Sequence, residues 1–138
     1  MNKLTHRYIA LDVGEKRIGI AEADAGTRFP RPIGAIEVDG LEHERLRELF
    51  TEMHPTELII GYPRNQSGEP TKQTEAVMAF AETLKAYDIP LVYQDESLTS
   101  VMAEDYLKKQ KKPYTRADID AHAAAIILGD FLEARYGY

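Results

Sequence analysis

Short apolar runs separated by glycine, proline and charged residues predict five β-strands along the chain. The first two runs flank Gly14, which permits a tight turn and therefore predicts a hairpin within residues 8–24. The fourth run, Leu58-Ile59-Ile60-Gly61, is apolar throughout, which is typical of a central strand covered on both faces. The predicted strands are residues 8–11, 18–21, 33–38, 58–61 and 91–93.

Apolar residues at helical spacing predict four helices in the remaining segments. Leu46, Leu49, Phe50 and Met53 recur at i, i+3, i+4 and i+7, which indicates an amphipathic helix. The start of the last helix is marked by Thr115, followed three residues later by an acid, as in a capping box. The predicted helices are residues 41–54, residues 71–87, a helix from Thr99 or Ser100 to the cluster of lysines at residues 108–112, and a helix from Thr115 to the C-terminus.

The order of these elements, β-β-β-α-β-α-β-α-α, predicts the fold class. Three hairpin-linked strands followed by alternating helices and strands favour a five-stranded mixed sheet with helices on both faces. In such a sheet the first strand is central and the fourth and fifth lie on one side of it. This α/β arrangement is ribonuclease H-like, and we expect residues 1–138 to form a single domain.

Composition narrows the class of protein and the chemistry that it can perform. Hydrophobic residues make up 43% and charged residues 29% of the chain, which is typical of a globular protein. No signal-peptide region or membrane-length apolar run is present, so we expect a cytoplasmic protein that does not contact membranes. Cysteine is absent, so any metal must bind to oxygen or imidazole ligands, which favours Mg²⁺ or Mn²⁺.

The net charge of −6 bears on the partners that the protein can have. It argues against a protein that coats DNA through charge neutralisation, but it does not exclude a nuclease whose bound ions supply positive charge. The positive residues that are bunched together have two interpretations, a solvated helix end or a phosphate contact. They are Lys108, Lys109, Lys111, Lys112 and Arg116.

Three carboxylates lie at the ends of predicted elements that the topology brings together. Asp12 ends the first strand, Glu96 follows the last strand, and Asp120 lies near the start of the last helix. Convergent carboxylates can hold one or two divalent ions for displacement at phosphorus. Each also has a purely structural interpretation, because Asp12 is a plausible turn former, Asp120 can stabilise the helix dipole, and Asp95 is an alternative to Glu96. His122 is more typical of a core-edge histidine than of a site residue.

Four segments in order resemble the motifs of the YqgF/RuvX family. They contain the D-x-G hairpin, a G-x-P-x-N loop, a D-E pair and an acid opening the last helix. The resemblance spans nearly the whole chain. The segments are residues 11–21 (LDVGEKRIGIA), residues 60–65 (IGYPRN) with Gly68, residues 95–100 (DESLTS) with Ala103, and residues 119–124 (IDAHAA).

This resemblance implies a ribonuclease H-like fold and a nuclease whose catalytic, metal-binding acids are Asp12, Glu96 and Asp120. Family members are described as nucleases that process the 5′ end of pre-16S ribosomal RNA, or as Holliday junction resolvases. We favour the ribosomal RNA precursor, because a resolvase normally acts as a dimer and no dimer interface is evident in the sequence. The oligomeric state, monomer or homodimer, stays open. Candidate contacts to the nucleic acid are Lys16, Arg17, Arg64 and Asn65.

Departures from the family motifs keep other functions open. Ser97 replaces an arginine that follows the D-E pair, Met102 replaces an acid, and Glu15 replaces a threonine. The loss of the arginine removes a candidate phosphate contact, which makes a nucleic-acid-binding module with weak or no catalysis an alternative. The D-x-G hairpin also opens actin-like kinases and ATPases. Those proteins need two such domains, and 138 residues hold one.

Overall fold

The first three strands are antiparallel to their neighbours, and the first of them is the central strand of the sheet. A computed structural model describes residues 6–63, 69–96 and 99–137. Strand β1 (Arg7–Val13) pairs with β2 (Arg17–Asp24), and β2 pairs with β3 (Arg31–Glu37). The β1–β2 turn is closed by the Gly14 N–H, which donates to the Arg17 carbonyl at 3.0 Å. The predicted hairpin is confirmed.

The two remaining strands extend the sheet on the other side of β1. Strand β4 (Glu57–Pro63) runs parallel to β1, and β5 (Leu91–Glu96) runs parallel to β4. The strand order is β3-β2-β1-β4-β5, so the prediction of a mixed sheet with β1 in the centre is confirmed. Because the parallel strands β1, β4 and β5 share a direction, their carboxyl ends lie side by side at the same end of the sheet.

Four α-helices follow in the predicted order in the described part of the chain. They are α1 (Glu42–Met53), α2 (Lys72–Leu84), α3 (Thr99–Lys109) and α4 (Arg116–Tyr136). A 3₁₀ turn at Lys85–Tyr87 continues α2, which explains why the sequence predicts a helix that extends to residue 87. The α3 helix ends in Lys108 and Lys109, and cations are favourable at a helix C-terminus.

The sequence places the start of the third strand two residues too late. The structure begins β3 at Arg31 and includes Pro32, although proline lacks the N–H that a central strand requires. Because β3 is the outermost strand, this missing donor is tolerated. The β2–β3 register shifts between Ile20 and Ala21, next to the proline.

Strand alternation divides the core into two layers, one on each face of the sheet. Tyr8 and Ala10 of β1 pack with the buried face of α4. The intervening residues Ile9 and Leu11 pack with α1 and α2 on the opposite face. Helix α3 packs beside α4. None of the helices in the described part of the chain combines the length and apolar character needed to span a bilayer.

Candidate functional site

Asp12 projects from the central strand toward helix α4. Side chains alternate across a strand, and Tyr8 and Ala10 lie in the α4 layer, so Asp12 belongs to the same face. Its neighbours Leu11 and Val13 are buried in the opposite layer. Asp12 is itself half-buried near the carboxyl end of β1. A carboxylate at this position is costly to desolvate unless a positive charge lies close to it.

Glu96 lies on the same face of the sheet, at the end of β5. Its register partner on β4 is Pro63, and the neighbouring Gly61 provides space for its carboxylate. A Cβ at Gly61 would overlap the Glu96 Oε2 atom. That Oε2 atom is buried and has no hydrogen-bond partner among the residues that the structure describes. An orphaned buried carboxylate oxygen is a costly feature that a bound cation would relieve.

Asp95, the alternative to Glu96, lies on the other face of β5. It lines a depression with Tyr62, Met78 and Tyr93, on the side of the sheet that carries α2. Alternation along β5 therefore separates the two acids, and only Glu96 shares a face with Asp12.

Asp120 is brought to the sheet by an unusually close approach of α4 to β2. A Cβ at Gly19 would overlap the backbone carbonyl of Asp120, so only glycine permits this approach. The start of α4 is fixed by a reciprocal capping box between Thr115 and Asp118, as the sequence predicts. Gly19 and Gly61 lie against two of the candidate acids, and the sequence analysis gives neither glycine a role of its own. The available signal was a glycine inside a predicted apolar strand.

Arg17 binds the carboxylate of Asp120 directly. The Arg17 Nε–H donates to Asp120 Oδ2 at 2.6 Å, and both side chains are 22% exposed. This bond raises the pKa of the Arg17 guanidinium above its ordinary value. The sequence predicts a substrate contact for Arg17, whereas the structure places its Nε–H on an acid of the candidate site.

The remaining two acids form an electrostatically strained pair. Burial, and then repulsion from Asp120, raises the pKa of Asp12 to about 6. Burial, and then repulsion from Asp12, raises the pKa of Glu96 to about 7. Asp12 is thus the one of the three acids whose charge interacts with the charges of both others.

The donor chemistry of this group fits a hard divalent cation. All three side chains offer carboxylate oxygens, the ligands that Mg²⁺ and Mn²⁺ prefer. A cation bound here would stabilise both the Glu96 Oε2 atom, which has no partner among the described residues, and the Asp12 carboxylate, whose pKa is raised by burial. Within residues 6–63, 69–96 and 99–137, no three acidic or histidine side chains already stand close enough to share one ion. Coordination of one ion by all three acids would therefore require side-chain movement, with Asp120 sharing or exchanging its bond with Arg17.

The other predicted site residues have varied positions. Lys16 is exposed in the β1–β2 turn, and its carbonyl accepts a 2.9 Å hydrogen bond from the Val38 N–H. Arg64, Asn65 and Ser97 lie outside the described residues.

The sequence analysis also singles out His122 and the bunched basic residues between positions 108 and 116. His122 is half-buried and packs against Tyr106 of α3, with the two rings tilted by 38° and their centroids 5.1 Å apart, a packing role typical of a core-edge histidine. The bunched basic side chains are exposed, at the end of α3 and at the start of α4.

Comparison with known proteins identifies relatives that match most of the chain. The family model described as "RuvX: Holliday junction resolvase" matches residues 6–134. A protein of Chloroflexus aurantiacus named "Putative pre-16S rRNA nuclease" is 40% identical over 132 residues, covering 92% of this chain and 86% of its own. A Roseiflexus protein of the same name is 37% identical over 134 residues, covering 94% and 95%.

Solved structures show the same fold. RuvC of T. thermophilus in complex with a Holliday junction substrate superposes with a TM-score of 0.59 and 14% identity, covering 96% of each chain. A second Thermus thermophilus RuvC structure gives a TM-score of 0.56 and 15% identity, covering 95% of this chain and 96% of that one. At this level of identity the likeness concerns the fold, which confirms the predicted ribonuclease H-like architecture.

Proposed function

The chain belongs to the RuvX family, and from that premise we propose that it is a divalent-metal-dependent nuclease that processes the 5′ end of pre-16S ribosomal RNA. Phosphodiester hydrolysis needs positive charge at the scissile phosphate and an activated water molecule. The candidate site gathers three acids in a chain of net charge −6, so a bound ion is the suitable source of that charge. The cleavage site and the identity of the ion, Mg²⁺ or Mn²⁺, are parts of this proposal.

One observation carries the proposal. Asp12 and Glu96 are half-buried on the same face at the carboxyl edge of parallel strands, where α/β sheets commonly place ligands. Their pKa values, about 6 and about 7, show that the site is unfavourable for two carboxylates without a cation. A purely structural role would not explain a buried carboxylate oxygen that lacks a partner within the described part of the chain.

We assign the metal-binding and catalytic roles to Asp12, Glu96 and Asp120. Asp12 interacts with both of the other acids, so it is the residue best placed to contact two ions. When bound, the divalent ions lower the pKa of water and neutralise charge on the phosphate. Glu96 and Asp12 must lose their protons to bind an ion, so the affinity for the ion falls progressively as the pH drops below the pKa of each group.

The residues around the acids orient them and contact the nucleic acid. Gly61 and Gly19 keep the space in which Glu96 and the start of α4 approach the sheet. Lys16 is exposed in the β1–β2 turn, next in sequence to the Arg17 that binds Asp120, and is suited to a phosphate of the substrate backbone. Arg64 and Asn65 belong to the same proposal, on the strength of the family motif alone.

Ribosomal RNA precursor is the favoured substrate because the two similar relatives described above carry that name. Resolution of branched DNA is the second candidate, favoured by the description of the family model. A resolvase cuts two strands symmetrically and therefore needs two centres related by a dimer axis. A monomer that cleaves RNA and a dimer that cleaves junctions are thus separable outcomes.

The test uses purified protein with Mn²⁺ or Mg²⁺, a precursor 16S RNA fragment, and a four-way DNA junction. We expect cleavage of the RNA by the wild type and a loss of at least about a thousand-fold in Asp12→Asn. Asp88→Asn is the matched control, because Asp88 is exposed and precedes the start of β5, at the end of the sheet opposite to the acids. Its φ is positive, a conformation that asparagine tolerates. Undiminished cleavage by Asp12→Asn would contradict the proposed site. Binding of the RNA without cleavage by the wild type would favour the non-catalytic module.

A further inference from the structure

The Arg17–Asp120 ion pair is built into the strand geometry of the candidate site. Arg17 and Gly19 are two residues apart on β2, so both lie on the face of the sheet that carries α4. Gly19 admits the backbone of Asp120, and Arg17 captures the carboxylate of the same residue. The pair joins residues 103 positions apart, and both side chains are largely shielded from solvent.

This pair conflicts with the binding of a metal ion by the same carboxylate. A short bond from a guanidinium neutralises Asp120, which is the third acid that the ion needs. A divalent ion at Asp120 would also lie close to the positive charge of Arg17, and like charges at such separations repel strongly where water is scarce. Asp120 therefore cannot serve both cations fully at once.

We propose that Arg17 and the divalent ion compete for Asp120, and that metal binding releases the Arg17 guanidinium to bind the phosphate backbone of the substrate. This inference rests on the proposed function, since it assumes a metal ion at the three acids. In the metal-free protein Arg17 stabilises Asp120. In the metal-bound protein the fork of N–H donors on Arg17 is available to a phosphate, which it matches in geometry.

Release of the Arg17 guanidinium couples the binding of the divalent ion to the binding of the nucleic acid. The ion must displace Arg17, so part of its binding free energy is spent on breaking the pair. Substrate phosphate that accepts the released guanidinium returns part of that free energy, so metal and nucleic acid strengthen the binding of each other. Arg17 is thus a positioning residue for Asp120 without metal and a substrate contact with metal.

The first measurement is the affinity for Mn²⁺, determined by isothermal titration calorimetry without substrate. Arg17→Met removes the competitor, so we expect it to bind Mn²⁺ roughly 5- to 50-fold more tightly than the wild type. Arg135→Met is the matched control, because it changes the net charge equally and breaks a 2.6 Å pair with Glu57 at the opposite end of the sheet. The control should retain the wild-type affinity. Equal or weaker binding by Arg17→Met overturns the proposal.

The second measurement follows the Arg17 Nε–H by nuclear magnetic resonance during titration of the wild type with Mg²⁺. We expect its resonance to leave the position typical of a carboxylate-bonded guanidinium as the ion saturates, while the Arg135 resonance stays in place. An Arg17 resonance that does not move at saturating Mg²⁺ overturns the proposal. This measurement decides the matter if Arg17→Met does not fold, because it uses the unaltered protein.

The two proposals fail in different ways. If the wild type cleaves RNA with metal but Arg17→Met leaves the Mn²⁺ affinity unchanged, the competition is wrong and the nuclease assignment stands. If Asp12→Asn cleaves as well as the wild type, the assignment of the three acids is wrong, whatever the Arg17 resonance does. A wild type that binds no divalent ion overturns both.

Discussion

The carboxylate of Glu96 occupies the space that any side chain at Gly61 would need. An ideal Cβ at Gly61 would overlap Glu96 Oε2 and lie 2.7 Å from Ile127 Cδ1 of α4. The glycine therefore links strand β4 to both the acid and the helix that covers it. Real Cβ atoms do not approach other atoms so closely, so a substitution must move one of the two neighbours.

Gly61→Ala should therefore damage the site and the fold together. We expect the free energy of unfolding to fall by about 1–3 kcal/mol, as is common for overpacked positions, and the Mn²⁺ affinity to fall at least about ten-fold as Glu96 moves. Urea unfolding and calorimetric titration measure the two effects. Gly34→Ala is the control, since among the described residues beyond its two chain neighbours no heavy atom lies within 4 Å of the position that a Cβ would take there, and its backbone is not left-handed. Wild-type metal affinity in Gly61→Ala would contradict the proposed role of Glu96.

The stability of the metal-free protein should depend on pH through Asp12 and Glu96. Their pKa values, about 6 and about 7, exceed the value of about 4 for exposed carboxyl groups. Between about pH 4 and pH 7 the folded protein therefore binds more protons than the unfolded chain. Because bound protons then favour the folded state, the free energy of unfolding must fall as the pH rises through this window.

Asp12→Asn should remove the part of this loss that belongs to Asp12. We expect the variant to be about 1–3 kcal/mol more stable than the wild type at pH 8 in a chelator, and equal to it at pH 4. Acids with a lowered pKa, such as Asp39, have the opposite dependence but are common to both proteins. Urea unfolding at a series of pH values gives the comparison, with Asp88→Asn expected to follow the wild type. A variant less stable than the wild type at pH 8 would refute the electrostatic argument.

Metal binding should displace protons from the same two carboxyl groups. We expect the affinity for Mn²⁺ to rise between about pH 5.5 and pH 8 and then to level off, because protons no longer compete above the pKa of Glu96. Calorimetric titration in buffers of different ionisation enthalpy counts the protons released near pH 6.5. Glu96→Gln should release fewer protons than the wild type. Binding without any proton release at this pH would place the ion elsewhere.

The capping box of α4 should matter for both stability and metal binding. Thr115→Ala removes the acceptor for the Asp118 N–H and should cost about 1 kcal/mol. Because the same first turns carry Asp120, we also expect weaker binding of Mn²⁺. Thr71→Ala breaks the equivalent capping box of α2 and is the matched control. The control should lose similar stability and keep its metal affinity. Equal metal affinity in both variants would show that the Thr115 cap is not needed to hold Asp120 for the ion.

Much of the fold follows from local patterns. The alternation and the apolar runs specify the five strands and their order, and the capping box at Thr115 predicts the start of α4 to the residue. The start of β3 is misplaced because Pro32 is a strong turn signal in sequence, and only the edge position of the strand makes it acceptable. A strand's place in the sheet is a tertiary property that its own residues do not encode.

The site is less accessible from sequence than the fold. Element ends suggest that Asp12, Glu96 and Asp120 converge, and alternation along β5 contains the information that separates Glu96 from Asp95. The bond between Arg17 and Asp120 has no such signal, because it depends on how closely α4 approaches β2. The same approach explains Gly19, a glycine whose importance depends on a backbone atom near the other end of the chain.

The division of the core by the sheet sets different tolerances for change in the two layers. The layer that contains α1 and α2 packs against Ile9, Leu11 and other residues whose side chains point away from the acids. The layer that contains α4 also carries Asp120, which lies in the first turns of that helix. Substitutions that stabilise the protein can therefore accumulate beneath α1 and α2 with little effect on ion binding, whereas drift beneath α4 is constrained by the need to keep Asp120 in place. The first layer is the region from which to engineer a more robust enzyme.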